Sequence, residues 1–449
     1  MFMEIMRGFS LKLILWTGFA GLLAAACQDG VPIPPLEPEY PYPEVSVALG
    51  GQKILARSAN GTPVIHGGYG ASMTAVKGEE GAFFLLTDRG PVADGAQPSE
   101  KVFIAKRFSP HIAKFKLAGD SMLLSNRITL NLPNGEATGI PPPPVNGIPG
   151  LGTSGETALD SIGRIIEPDV KGIDPQGLAV APDGTFWVSE NYGPSLLHFS
   201  TGGQLIERIT PFAPDSAALR LPLVLARRQV GRGITGIAFT PDGSRLAAIL
   251  QSPLANPDVP TGKSSNYTRL LIIDLQSGES TQYLYPLLET DTRVGELRAV
   301  SNTSFLVLEH DGKMPGAATD PARQKHIYRI DISGASDVSD PDNGENGKLV
   351  NGKTLEALSE AELGSAGIKT VSKELLVDLL EVFPDYPHDK PEGMTLVGNR
   401  KLAVINQDDY GIRSFSPPNG KYQSKVLPRT DTIDRNFIYF IELPSPVLP

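Results

Sequence analysis

Cysteine is nearly absent: Cys27 is the only one in 449 residues. Downstream of it no disulfide can form, even in an oxidising compartment, and no thiolate is available to a metal. Basic residues are in deficit, with 40 Lys and Arg against 50 Asp and Glu and a formal charge of −10. That balance excludes nucleic acid and anionic lipid as ligands of the surface as a whole, and leans towards a cation. The apolar run Leu13–Ala26 is too short to span a bilayer. No Gly-x-Ser-x-Gly elbow surrounds Ser189 in WVSEN, so the sequence offers no serine nucleophile of the usual kind.

What is present is repetition. Residues 174–211 read as one unit: LAVA alternates with the period of a strand, PDG makes a tight turn, TFWVSE is a second strand, SLLHFS a third and QLIERIT a fourth. The same internal order returns over 72–130, 235–288, 296–333 with KELLVDL at 373–379, and 392–442, where the chain ends one strand short. A meander of about forty residues is the length of one propeller blade. The reading is an all-β fold, a single β-propeller of four-stranded antiparallel blades. Five blades are counted, and six result if part of the connecting segments folds. VSVAL at 45–49 supplies the missing strand beside FIYFIEL and closes the ring without a free sheet edge. Gly184 and Gly243 serve the turns after PD, and Trp187 faces inward between blades.

Residues 1–27, with Arg7 and Lys12 ahead of the apolar run, form a signal peptide. Small residues directly before Cys27 are similar to a bacterial lipobox, which implies lipidation of Cys27; the alternative is a cleaved secretory signal with an incidental cysteine. Gln28 in the next position asks for no retention at the inner membrane, so the expected place is the outer membrane, with the lipid as the sole membrane contact. Residues 28–44 are a proline-rich tether, and 45–449 the propeller domain, expected to be monomeric. The insertions at 133–172, with PPPP at 141–144, and at 334–370 read as surface loops, the second with a short helix at Leu355–Leu363. DPDNGEN lacks the ligand spacing of an EF-hand and reads as a solvated loop.

In a propeller the start of each first strand and the end of each second strand share one face. The starts bring Tyr69, Asp174 with Gln176, Arg232 with Thr235, Glu296 with Arg298, and Lys390 with Glu392. The ends bring Asp88 with Arg89, Glu190 with Asn191, Gln251, Glu309 with His310 and Asp311, and Asn406 with Asp408 and Asp409. Carboxylates converging on a narrow mouth repel unless a cation or the interspersed Arg and Lys neutralise them. All-oxygen ligands suit calcium or magnesium better than zinc.

The stretches DPQGLAVAPDGTFWVSENYGP, ARRQVGRGITGIAFTPDGSRLAAILQSPL, FLVLEHDG and HDKPEGMTLVGNRKLAVINQDDYGI resemble the esterase-like, phytase-like propeller family of secreted bacterial proteins, in order over nearly all of residues 64–442. The resemblance implies a propeller and phosphoester or ester hydrolysis. It also implies acid-Gly pairs at the first-strand starts; Gln176 and Thr235 depart from this, and Glu392 keeps it. Glu190-Asn191 stands where Asp-Glu is usual.

The expected mechanism is hydrolysis of a small phosphate ester by water on calcium held by Asp174, Glu190, Glu296, Glu309, Glu392, Asp408 and Asp409. Arg89, Arg228, Arg232 and Lys390 clamp the phosphate, and Glu392, His388 and Lys390 are the catalytic candidates. Two other readings stay open: a binding propeller without catalysis, and a carboxylester or lactone hydrolase.

Overall fold

A computed structural model describes residues 47–49, 54–57, 61–145, 152–214, 216–413 and 422–448, all within one compact unit, Pro41–Pro449. The expected signal peptide, Cys27 and the tether lie outside the described residues.

Strand β1 (Val47–Leu49) precedes five antiparallel meanders. The first comprises β2 (Ser72–Ala75), β3 (Ala82–Leu86), β4 (His111–Ala118) and β5 (Ser121–Thr129). The second is β6 (Pro175–Val180), β7 (Phe186–Glu190), β8 (Ser195–Phe199) and β9 (Leu205–Ile209). The third is β10 (Ile234–Phe239), β11 (Arg245–Leu250), β12 (Tyr267–Asp274) and β13 (Ser280–Pro286). The fourth is β14 (Arg293–Ala299), β15 (Ser304–His310), β16 (Lys325–Asp331) and β17 (Ser372–Asp378). The last holds β18 (Pro391–Val397), β19 (Lys401–Asn406) and β20 (Phe437–Glu442). As expected for VSVAL, β1 completes it antiparallel to β20, with Val47 opposite Ile438. On its other side β1 runs parallel to β5, Ala48 opposite Ser121, which joins the first and last sheets into one of eight strands.

Period-two alternation dictates how the sheets stack. In β15, Phe305 and Val307 pack with Leu270 and Tyr285 of the third sheet, while Leu306 and Leu308 pack with Met394 and Val404 of the last. Trp187 is buried between the second and third sheets, as its place in FWVSE predicts, and stacks on His198 at 4.6 Å. The first strands neighbour one another in a cycle, β2 beside β6, β6 beside β10, β10 beside β14, β14 beside β18, and β18 beside β2. Glycines permit that approach: a Cβ on Gly177 would lie 2.4 Å from the Thr235 carbonyl oxygen, and one on Gly236 2.5 Å from the Leu297 nitrogen.

A polar knot ties these strands together where they converge. Arg298 donates to Ile237 O at 3.0 Å, to Met73 O and to Glu296 Oε2 at 2.8 Å, while Ser72 Oγ accepts from Leu178 N at 3.1 Å. Four sheets therefore share one hydrogen-bonded cluster, in which Arg298 Nε alone stays unpartnered among the described residues.

Both long insertions are more ordered than loops. Within 133–172, Thr157–Leu159 pairs parallel with Glu100–Phe103, and Ala137 and Ile140 are buried. Within 334–370, Val338, Leu355, Leu358 and Leu363 pack on Leu284. Fully buried Glu356 accepts from Arg269 Nε at 2.8 Å and Asn256 Nδ2 at 2.9 Å. The expected helix is a 3-10 turn, Leu355–Ala357, then a helix, Glu360–Ser365, started by a capping box between Ser359 and Glu362.

Candidate functional site

Each of the last four first strands opens with a register shift against its second strand: Pro175/Gly177, Ile234/Gly236, Val294/Glu296 and Pro391/Gly393. A bulge leaves one residue unpaired and re-aims its side chain. The bulged residues are Gln176, Thr235, Gly295 and Glu392, and Gln176 and Glu392 line a cavity of about 870 Å³ at this end of the strands. Asp88, Arg89, Asp174, Asn191, Arg232, Gln251, Lys390 and Asp409 line it too, so half of the expected rim meets in one mouth.

Glu392 is the exceptional carboxylate. It is buried, and among the described residues no hydrogen bond reaches it; His310 Nε2 stands 3.8 Å from Oε1. Burial raises its pKa to about 7 against the opposing pull of Lys390, with Asp409 and Asp389 adding to the rise. His310 accepts from Gly312 N on Nδ1 at 3.1 Å, which leaves the proton on Nε2 facing Glu392. Burial, reinforced by Lys325, Arg293 and Lys390, holds that imidazole neutral. Lys390 lines the same cavity and pairs with Asp409.

Arg232 also faces the cavity, and among the described residues no carboxylate lies within ion-pairing distance of it. Burial and the neighbouring Arg293 lower its pKa to about 10. Arg293, which was not among the expected residues, lines the cavity beside it, and its buried Nε has no hydrogen-bond partner among the described residues. Asp291 offsets part of the Arg232 charge from beyond ion-pairing distance, and two guanidinium groups held together in this way form a site for an anion.

Other expected residues stand elsewhere. Glu190 turns back on its own chain and accepts from Tyr192 N at 2.7 Å, Gly193 N at 3.1 Å and Ser195 Oγ at 2.7 Å. Glu309 has the opposite strand parity to His310 and points between the third and fourth sheets, bound by Tyr285, Lys373 and Gln324. Glu296 is one residue out of register with Glu392. It occupies the glycine position of the bulge, and its carboxyl sits in the polar knot, where burial raises it to about 8 against Arg298. Asp408 is fully buried and caps Gly68 N at 2.8 Å and Tyr410 N at 3.0 Å.

Three further assignments are corrected on burial. His388 is fully enclosed between Asp434 and Tyr439, 2.7 Å from each, and cannot protonate a ligand in the mouth. Arg228 donates to the carbonyls of Thr153, Ser154, Gln229 and Tyr192 and lies behind the cavity wall. Arg89 reaches the cavity, but Glu156 at 2.5 Å and Asp174 at 3.7 Å neutralise it.

The seven expected calcium ligands are thus not one donor set. Only Asp174, Glu392 and Asp409 reach the mouth, two of them already paired with Arg89, Lys390 or Lys425. Among the described residues no three His, Cys, Asp or Glu side chains stand together as a metal site. The residues present do not fit a calcium ion at this rim.

Comparison with known proteins supplies the family. A curated relative, an uncharacterized secreted protein of Arthroderma benhamiae, is 29% identical over 174 residues, 34% of this chain, and the chain spans about a third, 32%, of that protein. Among solved structures, the calcium-binding protein regucalcin of Agrobacterium tumefaciens superposes with a TM-score of 0.36 and 11% identity, over 88% of this chain and 97% of that one. A Lactobacillus plantarum protein gives 0.35 and 12%, over 89% and 99%. The PQQ-bound aldose sugar dehydrogenase of Streptomyces coelicolor gives 0.31 and 11%, over 89% and 99%. Likenesses at this level carry no argument about the site. The family model described as "Phytase-like: Esterase-like activity of phytase" matches residues 67–410, a span that contains all five first strands and the cavity-lining residues from Asp88 to Asp409. On that match the chain belongs to the phytase-like family.

Proposed function

We propose that this chain is a secreted hydrolase of small anionic esters, phosphomonoesters first, built as a five-bladed propeller whose ring β1 closes. The observation that carries the reading is the coexistence in one cavity of two arginines, Arg232 and Arg293, without an ion pair among the described residues, and a carboxyl, Glu392, without a hydrogen bond among them. The arginines and Lys390 hold the anionic oxygens of the substrate and stabilise charge that develops on them. Glu392, as carboxylate, takes a proton from the attacking water while the phosphorus–water oxygen bond forms. The bond to the alkoxide breaks, and Glu392 returns the proton to that leaving oxygen, so the products are an alcohol and phosphate. A group whose pKa lies near 7 suits both transfers at neutral pH. The step as proposed needs no metal, and two of the expected calcium ligands at the mouth, Asp174 and Asp409, already carry Arg89, Lys390 and Lys425 as counter-ions.

The family description supports hydrolysis and leaves the ester class open. Turnover of p-nitrophenyl phosphate against p-nitrophenyl acetate, each with and without chelator, tests it: phosphatase activity that survives EDTA is expected, and turnover of the acetate alone would transfer the reading to carboxylesters. Gln176, which stands in the register of Glu392 without its charge, favours a second reading, a ligand-binding propeller that binds phosphate esters without turnover.

The proposal includes export and acylation of Cys27, anchoring a monomeric domain at the outer membrane by lipid alone. Wild-type protein should partition into detergent and Cys27→Ser should not; a wild-type product without acyl mass would refute the anchor.

A further inference from the structure

Beside the mouth, Lys425 occupies a place built like a cation site. Its ammonium lies 2.7 Å from Asp389 Oδ1, 2.9 Å from Asp409 Oδ2, 3.1 Å from Asp434 Oδ2 and 3.0 Å from the Gln407 carbonyl oxygen. The side chain is 2% exposed and that of Asp434 fully buried. A small hairpin, Ile412–Arg413 against Gln423–Ser424, delivers Lys425, and Gly411 O and Asp434 N fix its backbone on both sides. The other oxygens of two of the carboxylates are committed elsewhere: Asp409 Oδ1 to Lys390, and Asp434 Oδ1 to His388 Nδ1 at 2.7 Å and Asn406 Nδ2 at 3.2 Å.

Four oxygens surround a group that has only three protons. Asp389 Oδ1 and Asp434 Oδ2 are buried within ion-pairing distance of the ammonium, yet receive no hydrogen bond from the described residues. Such an arrangement satisfies charge without satisfying direction, which is how oxygens are disposed about a spherical ion. Calcium takes carboxylate and carbonyl oxygens from any direction at about 2.3–2.6 Å, so the carboxylates would close by a few tenths of an ångström. Magnesium demands near-octahedral geometry at about 2.0–2.1 Å and would fit less well. As they stand, the three carboxylates are not grouped closely enough to hold a metal ion.

We infer that Lys425 is the built-in cation of this cage: its ammonium takes the place of a calcium ion, makes the fold independent of calcium, and leaves a latent calcium site formed by Asp389, Asp409, Asp434 and the Gln407 carbonyl when it is removed. The inference does not rest on hydrolysis. It accounts for Asp409, which the sequence places among the calcium ligands and which carries lysine in the structure.

Thermal unfolding of the full chain in mild detergent tests it. Wild-type Tm should be the same in EDTA and in millimolar calcium chloride. Lys425→Ala should unfold earlier in EDTA and recover saturably with calcium, by about 3 °C or more once calcium exceeds its dissociation constant a hundredfold. Magnesium chloride at matched ionic strength should not restore it, and adding Asp389→Asn should abolish the calcium response. If Lys425→Ala does not fold in EDTA, Lys425→Gln, which keeps a long stem without charge, is refolded from urea in calcium and in EDTA, with recovery expected in calcium. A wild-type Tm that moves with calcium or EDTA, a calcium response that survives Asp389→Asn, or neutral variants blind to calcium would each overturn the inference.

Discussion

His310 Nε2 and Glu392 Oε1 face each other at 3.8 Å between the fourth and last sheets, the imidazole fixed by Gly312 N on its far nitrogen and the carboxyl by nothing but its strand. A neutral donor pointing at a buried carboxyl, with Lys390 beside it, keeps that carboxyl poised between its two protonation states.

Poise has a cost that stability measurements can read. The folded pKa of Glu392, about 7, lies above its ordinary 4.5, so between those values the folded state holds a proton that the unfolded state has lost. Stability contributed by the neutral form is therefore complete below pH 4.5 and is lost as pH rises through about 7. Glu392→Gln should match wild type near pH 4 and exceed it above pH 7, by up to about 3 kcal/mol in urea unfolding. Equal stability at both ends would show that burial does not perturb the group.

The arginine couple separates binding from folding. Arg232→Gln removes a guanidinium for which burial and the like charge of Arg293 outweigh the attraction of Asp291, so Tm should stay level or rise. KM for a phosphomonoester should increase about 10–100-fold with a smaller change in kcat, the loss of one charge-assisted contact. An unchanged KM would remove Arg232 from the site.

The buried pair in the 334–370 excursion is structural. Arg269 and Glu356 are both fully enclosed, and Glu356→Leu should cost about 3–5 kcal/mol by stranding the guanidinium. A loss below about 1 kcal/mol would mean that the excursion does not belong to the cooperative fold.

Ring closure is tested by truncation through Leu49. Removing β1 strips β20 of its antiparallel partner and β5 of its parallel one, exposing two sheet edges. The expected outcome is a loss of several kcal/mol and concentration-dependent aggregation. A truncated chain as stable and monomeric as the full one would contradict closure.

Period-two patterning made the strands readable, and with them Trp187, the pairing of VSVAL with FIYFIEL, and the placing of Lys390, Glu392 and Arg232 at one mouth. The failures have local causes. A bulge moved Glu296 by one residue, which suffices to send a side chain from the mouth into the knot beneath it. Strand parity chose His310 over Glu309 for the side facing Glu392. The loop carrying His388 folds inward, against Asp434 forty-six residues later, which no local pattern announces. Arg293 carried a faint signal, since it stands in the strand-start position of Lys390, but its lack of a counter-ion is a property of the folded neighbourhood alone.

The central claim is that Glu392 moves the proton in a metal-free hydrolysis at this mouth. The direct measurement is kcat/KM for p-nitrophenyl phosphate from pH 5 to 9 in EDTA, wild type against Glu392→Gln. The account predicts a wild-type rate that rises through a pKa near 7 as the base ionises, and a Glu392→Gln rate about 10²–10⁴-fold lower without that inflection. A wild-type rate abolished by EDTA, or a Glu392→Gln variant that keeps both the rate and the inflection, would contradict it.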